Sequence, residues 1–349
     1  MSRVVITGAS GHLGTALVRA AVRAGHEVRA LVRAGSDLRG LEGVRAERVV
    51  GDLLDPRSLE AAFAGCEVVL HAAAVHRNWA PDEATILAPA IEGTEHVLRA
   101  AKAAGVRRVV LVSSNAAVGY GAVGRPPLDE TSWNEHPTAP YIRAKTLSER
   151  RGLALGAELG LEVVSVCPCG IVGPYDRRPT PTTRAVLGMA TGGPSVLDLS
   201  VTDVRDVADG VLLAAAKGRP GERYLLAGEN CTKERVAELV TAVTGQPCKA
   251  MAVPRPMLWL LAAFGELRAR LGGPDPDLSR AEVADVGGRH LLYDATKART
   301  ELGFRPRPAE EALRDTYAWL AHAGLLTGAV GESVKARYPA DPEWTAPVG

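Results

Sequence analysis

Short apolar runs alternate with longer amphipathic ones through the first half of the chain. Arg3–Ile6 is a β-rich run, and a glycine-rich turn separates it from a helical pattern over about 13–24. Gly25 ends that helix, and Glu27–Val32 is the next strand. Val49-Val50-Gly51-Asp52 closes a third strand. Asp55-Pro56 then fits an N-cap and first helical turn, where proline's missing N–H costs nothing. Glu67–His71 and Arg108–Val112 predict the fourth and fifth strands, separated by a helix over about 92–104 that Gly105 ends. A further helix surrounds Tyr141–Leu159, and Leu161–Cys167 is a sixth strand. Strands that are apolar almost throughout, each followed by a helix, predict an α/β fold: a parallel sheet covered on both faces. Right-handed crossovers leave the doubly wound topology as the simple solution.

The pattern changes after Gly173-Pro174, where proline and threonine crowd residues 174–183. We therefore expect an N-terminal unit over 1–173 and a smaller, mostly C-terminal α/β lobe over 174–326. Asp203–Ala216 and Arg223–Leu226, within about 201–227, look like elements returning to the first sheet. Residues 327–349 are rich in Gly, Pro and charge. They read as a tail or a lid, a frayed tail being the favoured reading.

Composition narrows the class. The 41 basic and 40 acidic residues leave a net charge of +1, which gives no nucleic-acid or membrane footprint. The five cysteines are too scattered for a disulfide framework. No clustered His completes a metal set with Cys167 and Cys169, so no metal is expected and the thiols fit a reducing compartment. A strand-like run begins almost at once, so no targeting segment is read, and Met257–Phe264 is too short to span a bilayer. These readings place the chain in the cytoplasm.

Thr7-Gly8-Ala9-Ser10-Gly11-His12-Leu13-Gly14 follows the first strand and opens the first helix. Glycines there permit a tight turn, let backbone N–H groups approach a pyrophosphate, and let helix and strand pack closely. The helix N-terminus stabilises the phosphate charge. Residues 1–173 are thus expected to be an NAD(P)-binding Rossmann domain, with Gly8, Ser10, Gly11, His12, Leu13 and Gly14 at the cofactor. Arg33 ends the second strand, where an acid would favour a free ribose 2′-hydroxyl; a guanidinium suits a 2′-phosphate and tilts the choice to NADP over NAD. Asp52 and Leu53 end the third strand near the adenine. Ala72, Ala73 and Ala74 end the fourth and leave room for the cofactor, while His71 reads as a packed strand residue.

Tyr141 and Lys145 stand four apart, which puts them on one helix face. The ammonium is expected to lower the tyrosine pKa and make the phenol a usable proton donor or acceptor for a carbonyl/alcohol pair. Lys145 can also hold the nicotinamide ribose. Ser113 and Ser114 end the fifth strand, where Ser114 can orient the substrate oxygen.

These motifs resemble the extended short-chain dehydrogenase/reductase superfamily over about residues 1–325. Gly8, Gly11, Gly14, Asp52, Ser114, Tyr141 and Lys145 fall on its motif positions, as do Pro168 and Gly173-Pro174. The resemblance implies Ser114, Tyr141 and Lys145 as catalytic residues. It adds Ser113, Pro168 and Ile171 to the cofactor site. Residues 86–94, Ile-Leu-Ala-Pro-Ala-Ile-Glu-Gly-Thr, resemble the dihydroflavonol reductase and cinnamoyl-CoA reductase branch, which like Ala90 here lacks an asparagine found in many extended members. Residues 173–182 and 221–228 resemble bacterial proteins labelled hopanoid-associated sugar epimerases.

The expected activity is hydride transfer between NAD(P)H and a ketone or aldehyde, or the matching alcohol. The alternatives are a nucleotide-sugar epimerase with tightly held NAD, against which Arg33 counts, and a non-catalytic NADP sensor. His76, Trp79, Asn115, Tyr175 and Thr180 sit on loops expected to face a small-molecule substrate. The resemblance also implies a possible homodimer through the helices around 92–104 and 141–159.

Overall fold

A computed structural model of the chain describes residues 2–74, 80, 82–344 and 347–348. In chain order the first half comprises β1 (Arg3–Thr7), α1 (His12–Arg23), β2 (Glu27–Val32), β3 (Glu47–Val50), α2 (Pro56–Phe63), β4 (Val68–His71), α3 (Ala84–Ala103), β5 (Arg108–Val112), α4 (Asn115–Val118), β6 (Gly121–Ala122), α5 (Pro140–Leu159) and β7 (Glu162–Pro168). The second half comprises β8 (Ile171–Val172), α6 (Pro181–Ala190), β9 (Leu199–Asp203), α7 (Val204–Lys217), β10 (Arg223–Leu226), β11 (Glu229–Cys231), α8 (Lys233–Thr244), α9 (Arg255–Arg270), α10 (Arg280–Val286), β12 (Arg289–His290), α11 (Ala309–His322) and α12 (Gly328–Arg337).

Seven strands form one parallel sheet in the order β10-β7-β5-β4-β1-β2-β3. The order reverses direction between β1 and β4, which opens a crevice at the carboxyl ends of those strands. Alternate residues of β1 feed different layers. Val4 and Ile6 join the core shared with α1, α7 and α11, while Val5 joins the core shared with α2, α3 and α5. The doubly wound α/β architecture is thus the one the strand-helix alternation predicts.

Two short sheets, β11-β9-β8 and β12-β6, build the second lobe. Its elements are interleaved with the first sheet: α7 packs on α1, and β10 pairs with β7 from Arg223↔Ser165 to Leu226↔Pro168.

Two readings of the sequence need correction. Helix α3 begins at Ala84, eight residues before the expected start at Glu92, and carries Pro89 inside it. Asp82 Oδ1 accepts the Ala84 N–H and opens the helix early enough for Pro89 to fall in its second turn. The described part of the chain beyond Thr327 is not frayed. It forms α12, packs on α8 and α11, and buries Val334 and Trp344. Val348 then exchanges backbone hydrogen bonds with Gly43 and Arg45 at 2.9 and 2.7 Å.

Candidate active site

A cleft of about 1200 Å³ lies over the carboxyl ends of β1–β5 and β7 and continues between α6 and α10. The glycine turn forms its floor. Gly8 has φ +70°, and a Cβ on it would lie 2.7 Å from Ala73 Cα. A Cβ on Gly14 would lie 1.9 Å from Gly8 O, so strand and helix approach more closely than any side chain allows. Gly11 is the N-cap of α1 and offers no side-chain cap, leaving the first-turn N–H groups for an anion. His12 Nε2 is a buried polar atom without a partner, and His12 lines the cleft. A cradle with room for backbone approach, an uncapped helix start and an orphaned imidazole nitrogen fit a dinucleotide pyrophosphate. Ser10 and Leu13 line the same stretch.

Arg33, exposed at the end of β2, edges the cleft with Ser36 and Asp37. The Asp37 carboxylate is taken up by Arg39 at 2.7 Å. Asp52, Leu53, Ala72, Ala73 and Ala74 line the next strand ends. His71 is a packed residue, as its position predicts. Its Nδ1 lies 2.8 Å from Thr7 Oγ1, and Thr7 Oγ1 also accepts the Ala73 N–H at 3.2 Å. Burial, helped by the nearby Lys145 charge, pulls the His71 pKa down to about 3, so the ring is neutral at physiological pH.

Tyr141 and Lys145, one turn apart on α5, face the end of β5 and line the cleft with Ser113 and Ser114. Lys145 Nζ donates to Val112 O at 3.0 Å. Burial pulls its pKa down to about 8, against the opposing pull of Glu149 and Cys167. The expected lowering of the Tyr141 pKa is reversed. Burial pushes the phenol above its ordinary value, and the hydrogen bond with Ser114 offsets this only in part. The Lys145 ammonium is tied to the strand-end carbonyl, and sharing a helix face does not by itself bring it to the phenol.

Ser114 is more constrained than its motif suggests. Its Oγ accepts the Ala116 N–H at 3.2 Å and donates to Asn115 Oδ1 at 3.1 Å. Asn115 Nδ2 donates to Tyr293 OH at 3.0 Å, and Tyr293 donates to Gly119 O at 2.8 Å. Because Tyr293 gives its only proton to Gly119, it must accept from Asn115. That fixes the amide with its oxygen toward Ser114. The single Ser114 proton therefore has two claimants, Asn115 and the Tyr141 oxygen.

A second layer escaped the sequence reading. Glu149, one turn beyond Lys145, is buried. It accepts from Ser113 Oγ at 2.7 Å, Ser165 Oγ at 2.5 Å, and Arg223 Nε and Nη2 at 2.9 and 3.1 Å. Arg223 also donates to the carbonyls of Glu130 and Ser132 and lies 3.5 Å from the Trp133 ring centroid. The Ser113 hydroxyl is thereby engaged by Glu149.

Among the expected substrate residues, Asn115, Tyr175 and Thr180 line the cleft, as do Pro168 and Ile171. Tyr175 is buried with φ +79°, unusual for a bulky residue, with the Arg19 guanidinium 5.3 Å from its ring. Thr180 caps α6, and its backbone N–H donates to Asp176 at 2.8 Å. His76 and Trp79 lie outside the described residues. The lobe end of the cleft is mostly apolar, with Val186, Met189, Pro194, Leu197, Val286 and Leu291.

Comparison with known proteins agrees with this geometry. A model of the NAD dependent epimerase/dehydratase family matches residues 4–227. Sterol demethylase protein B of Methylococcus capsulatus is 35% identical over 92% of this chain and 99% of its own length. A putative dihydroflavonol 4-reductase of Synechocystis is 33% identical over 92% of this chain and 95% of its own. The crystal structure of gox2253 superposes with a TM-score of 0.82 at 34% identity, covering 94% of this chain and all of that one.

Proposed function

Because this chain belongs to the NAD dependent epimerase/dehydratase family, we propose that it is an NADPH-dependent reductase of an apolar ketone or aldehyde, acting through Tyr141, Ser114 and Lys145. The observation that carries this reading is the convergence of those three side chains and the glycine cradle on one cleft. The glycine turn and α1 N-terminus hold the pyrophosphate, and Arg33 takes a ribose 2′-phosphate. Reduced nicotinamide, when bound, supplies the hydride. Tyr141, kept protonated by its raised pKa, gives its proton to the carbonyl oxygen. Cationic Lys145 holds the nicotinamide ribose. Ser114 orients the substrate oxygen.

The apolar lobe end supports a hydrophobic substrate over a nucleotide sugar. Relatives named sterol demethylase protein B and putative dihydroflavonol 4-reductase likewise carry no sugar in their names. The test follows NADPH absorbance with a panel of apolar ketones and aldehydes, alongside UDP-sugars. Turnover with a carbonyl compound that Tyr141→Phe abolishes is the expected result. Tightly bound NAD with sugar interconversion and no net NADPH consumption overturns it in favour of an epimerase. Arg33→Asp is expected to raise KM for NADPH far more than for NADH, and an equal change in both overturns the NADP assignment.

A further inference from the structure

Helix α9 is turned inside out. Met257, Leu260, Leu261, Phe264, Leu267 and Leu271 recur at helical spacing, and each is 45–80% exposed. At 100° per residue they fall on one stripe of the helix. The opposite face is the buried one, and it holds Ala262 and Glu266. The only acid of the helix, Glu266, is thus directed inward, where Arg280 pairs with it at 2.9 Å. A contiguous row of six large apolar side chains is not the surface of a helix that ends its contacts in water.

Arg268 stands on the stripe near its C-terminal end and Arg270 just beyond its edge, both exposed. Arg255 is on the opposite face, where it donates to Ala284 O at 3.2 Å. Trp259, half-exposed, is on the side that carries Glu266, with the Arg280 guanidinium 5.4 Å from its ring. Of the acids that follow the helix, Asp275 and Asp277, the latter is engaged by Arg184 at 3.1 Å. The chain's near-zero net charge hides this local asymmetry.

We propose that α9 docks on the surface of an anionic lipid bilayer, seating its apolar stripe at the boundary of headgroups and acyl chains. Basic residues beside an exposed apolar helical face are the combination such a surface retains, with arginine stems lying along the apolar region and guanidinium groups meeting lipid phosphates. A second copy of the chain suits the stripe less well. Parallel pairing through the stripe sets Arg268 against the Arg268 of the second copy. No helix of the described residues is long and apolar enough to cross a membrane, so the contact is interfacial. Helix α9 packs on α10, whose Glu282 and Val286 line the cleft, so docking holds that wall of the cleft near the lipid.

Flotation of the full chain with phosphatidylcholine vesicles, with and without phosphatidylglycerol, tests this independently of any activity. The wild type is expected to float with the phosphatidylglycerol vesicles. Phe264→Glu/Leu267→Glu should cut that binding by roughly tenfold or more. Arg268→Gln/Arg270→Gln should weaken it by roughly fivefold per arginine and remove the preference for phosphatidylglycerol. Both variants alter exposed side chains, so an unchanged melting temperature confirms that they fold. A wild type that stays with the unbound protein, or floats no better than Phe264→Glu/Leu267→Glu, overturns the proposal. So does a wild-type dimer in light scattering that this variant splits, which assigns the stripe to a second copy.

Discussion

Tyr293, more than 170 residues from Asn115 in sequence, accepts the Asn115 amide N–H at 3.0 Å and so decides which way that amide faces Ser114. Tyr293→Phe removes this anchor and frees the amide to turn. We expect kcat for carbonyl reduction to fall on the order of tenfold, because an amide nitrogen facing Ser114 changes where its proton points. The Kd for NADPH should stay near its wild-type value. Loss of the hydroxyl also leaves Gly119 O short of a partner, at about 1–3 kcal/mol of stability. A stability loss with kcat unchanged would show that the link is structural only.

Lys145 makes the pH dependence specific. Its pKa is about 8, pulled down by burial and held up by Glu149 and Cys167, while Tyr141 is raised and stays protonated over this range. In the proposed reduction Lys145 acts as a cation, so kcat/KM should be level below about pH 8 and decline above it. Stability should move the opposite way. Between about pH 8 and the ordinary lysine value the unfolded chain keeps a proton that the folded one has lost, so stability rises with pH there. Lys145→Arg should carry the activity limb to higher pH, and Lys145→Met should abolish both activity and the stability rise. Urea titrations at pH 7.5 and 9.5 (roughly the two sides of the transition) beside the rate profile check both signs.

The glycine turn was legible because everything it does is local. A strand, a tight turn and a helix start within twelve residues identify their own geometry, and the same holds for Ser114 at a strand end and for Tyr141 and Lys145 on a helix. Glu149 was not legible. It sits in the charged run Ser148-Glu149-Arg150-Arg151 on a surface-like stretch of helix, and its partner Arg223 is 74 residues away. Only the pairing of β10 with β7 brings them together. The direction of the Tyr141 pKa failed for a related reason: burial is a property of the packed chain, and spacing carries no measure of it. The apolar run Met257–Phe264 reads only as too short to span a bilayer, and nothing local says that its face is turned outward. The segment after Thr327 reads as loose because glycine and proline punctuate it, yet Glu343 and Val348 find their places through distant contacts with Arg19 and with residues 43–45.

Two glycines in the same turn separate folding from cofactor binding. A methyl on Gly14 meets Gly8 O at 1.9 Å, a backbone atom that cannot step aside, whereas one on Gly11 meets the same oxygen at 3.3 Å. Gly14→Ala is expected to lower stability by about 1–3 kcal/mol or more. Gly11→Ala should fold with a melting temperature close to wild type but lose most of the rise that added NADPH produces, if the proposed pyrophosphate site lies against this turn. Thermal melts with and without NADPH distinguish the two. A Gly11→Ala protein that is stabilised by NADPH as strongly as wild type would remove the turn from the cofactor site.

Arg223 and Glu149 form a buried pair whose loss should depend on which partner is removed. Arg223→Met leaves the Glu149 carboxylate with its hydroxyl partners but no counter-charge on that side, at an expected cost of about 3–5 kcal/mol. Arg223→Met/Glu149→Leu removes both charges and should recover much of that loss, since the desolvation penalty of the two ions is no longer paid. The double variant still differs from wild type at the active site. Glu149 is the main group holding the Lys145 pKa up, so without it the ammonium should lose its proton below about pH 8. Urea unfolding at pH 7 should therefore rank the proteins wild type, double variant, single variant, while the high-pH limb of kcat/KM moves to lower pH in the double variant. Recovered stability with an unmoved limb would separate Glu149 from Lys145 and confine the pair to folding.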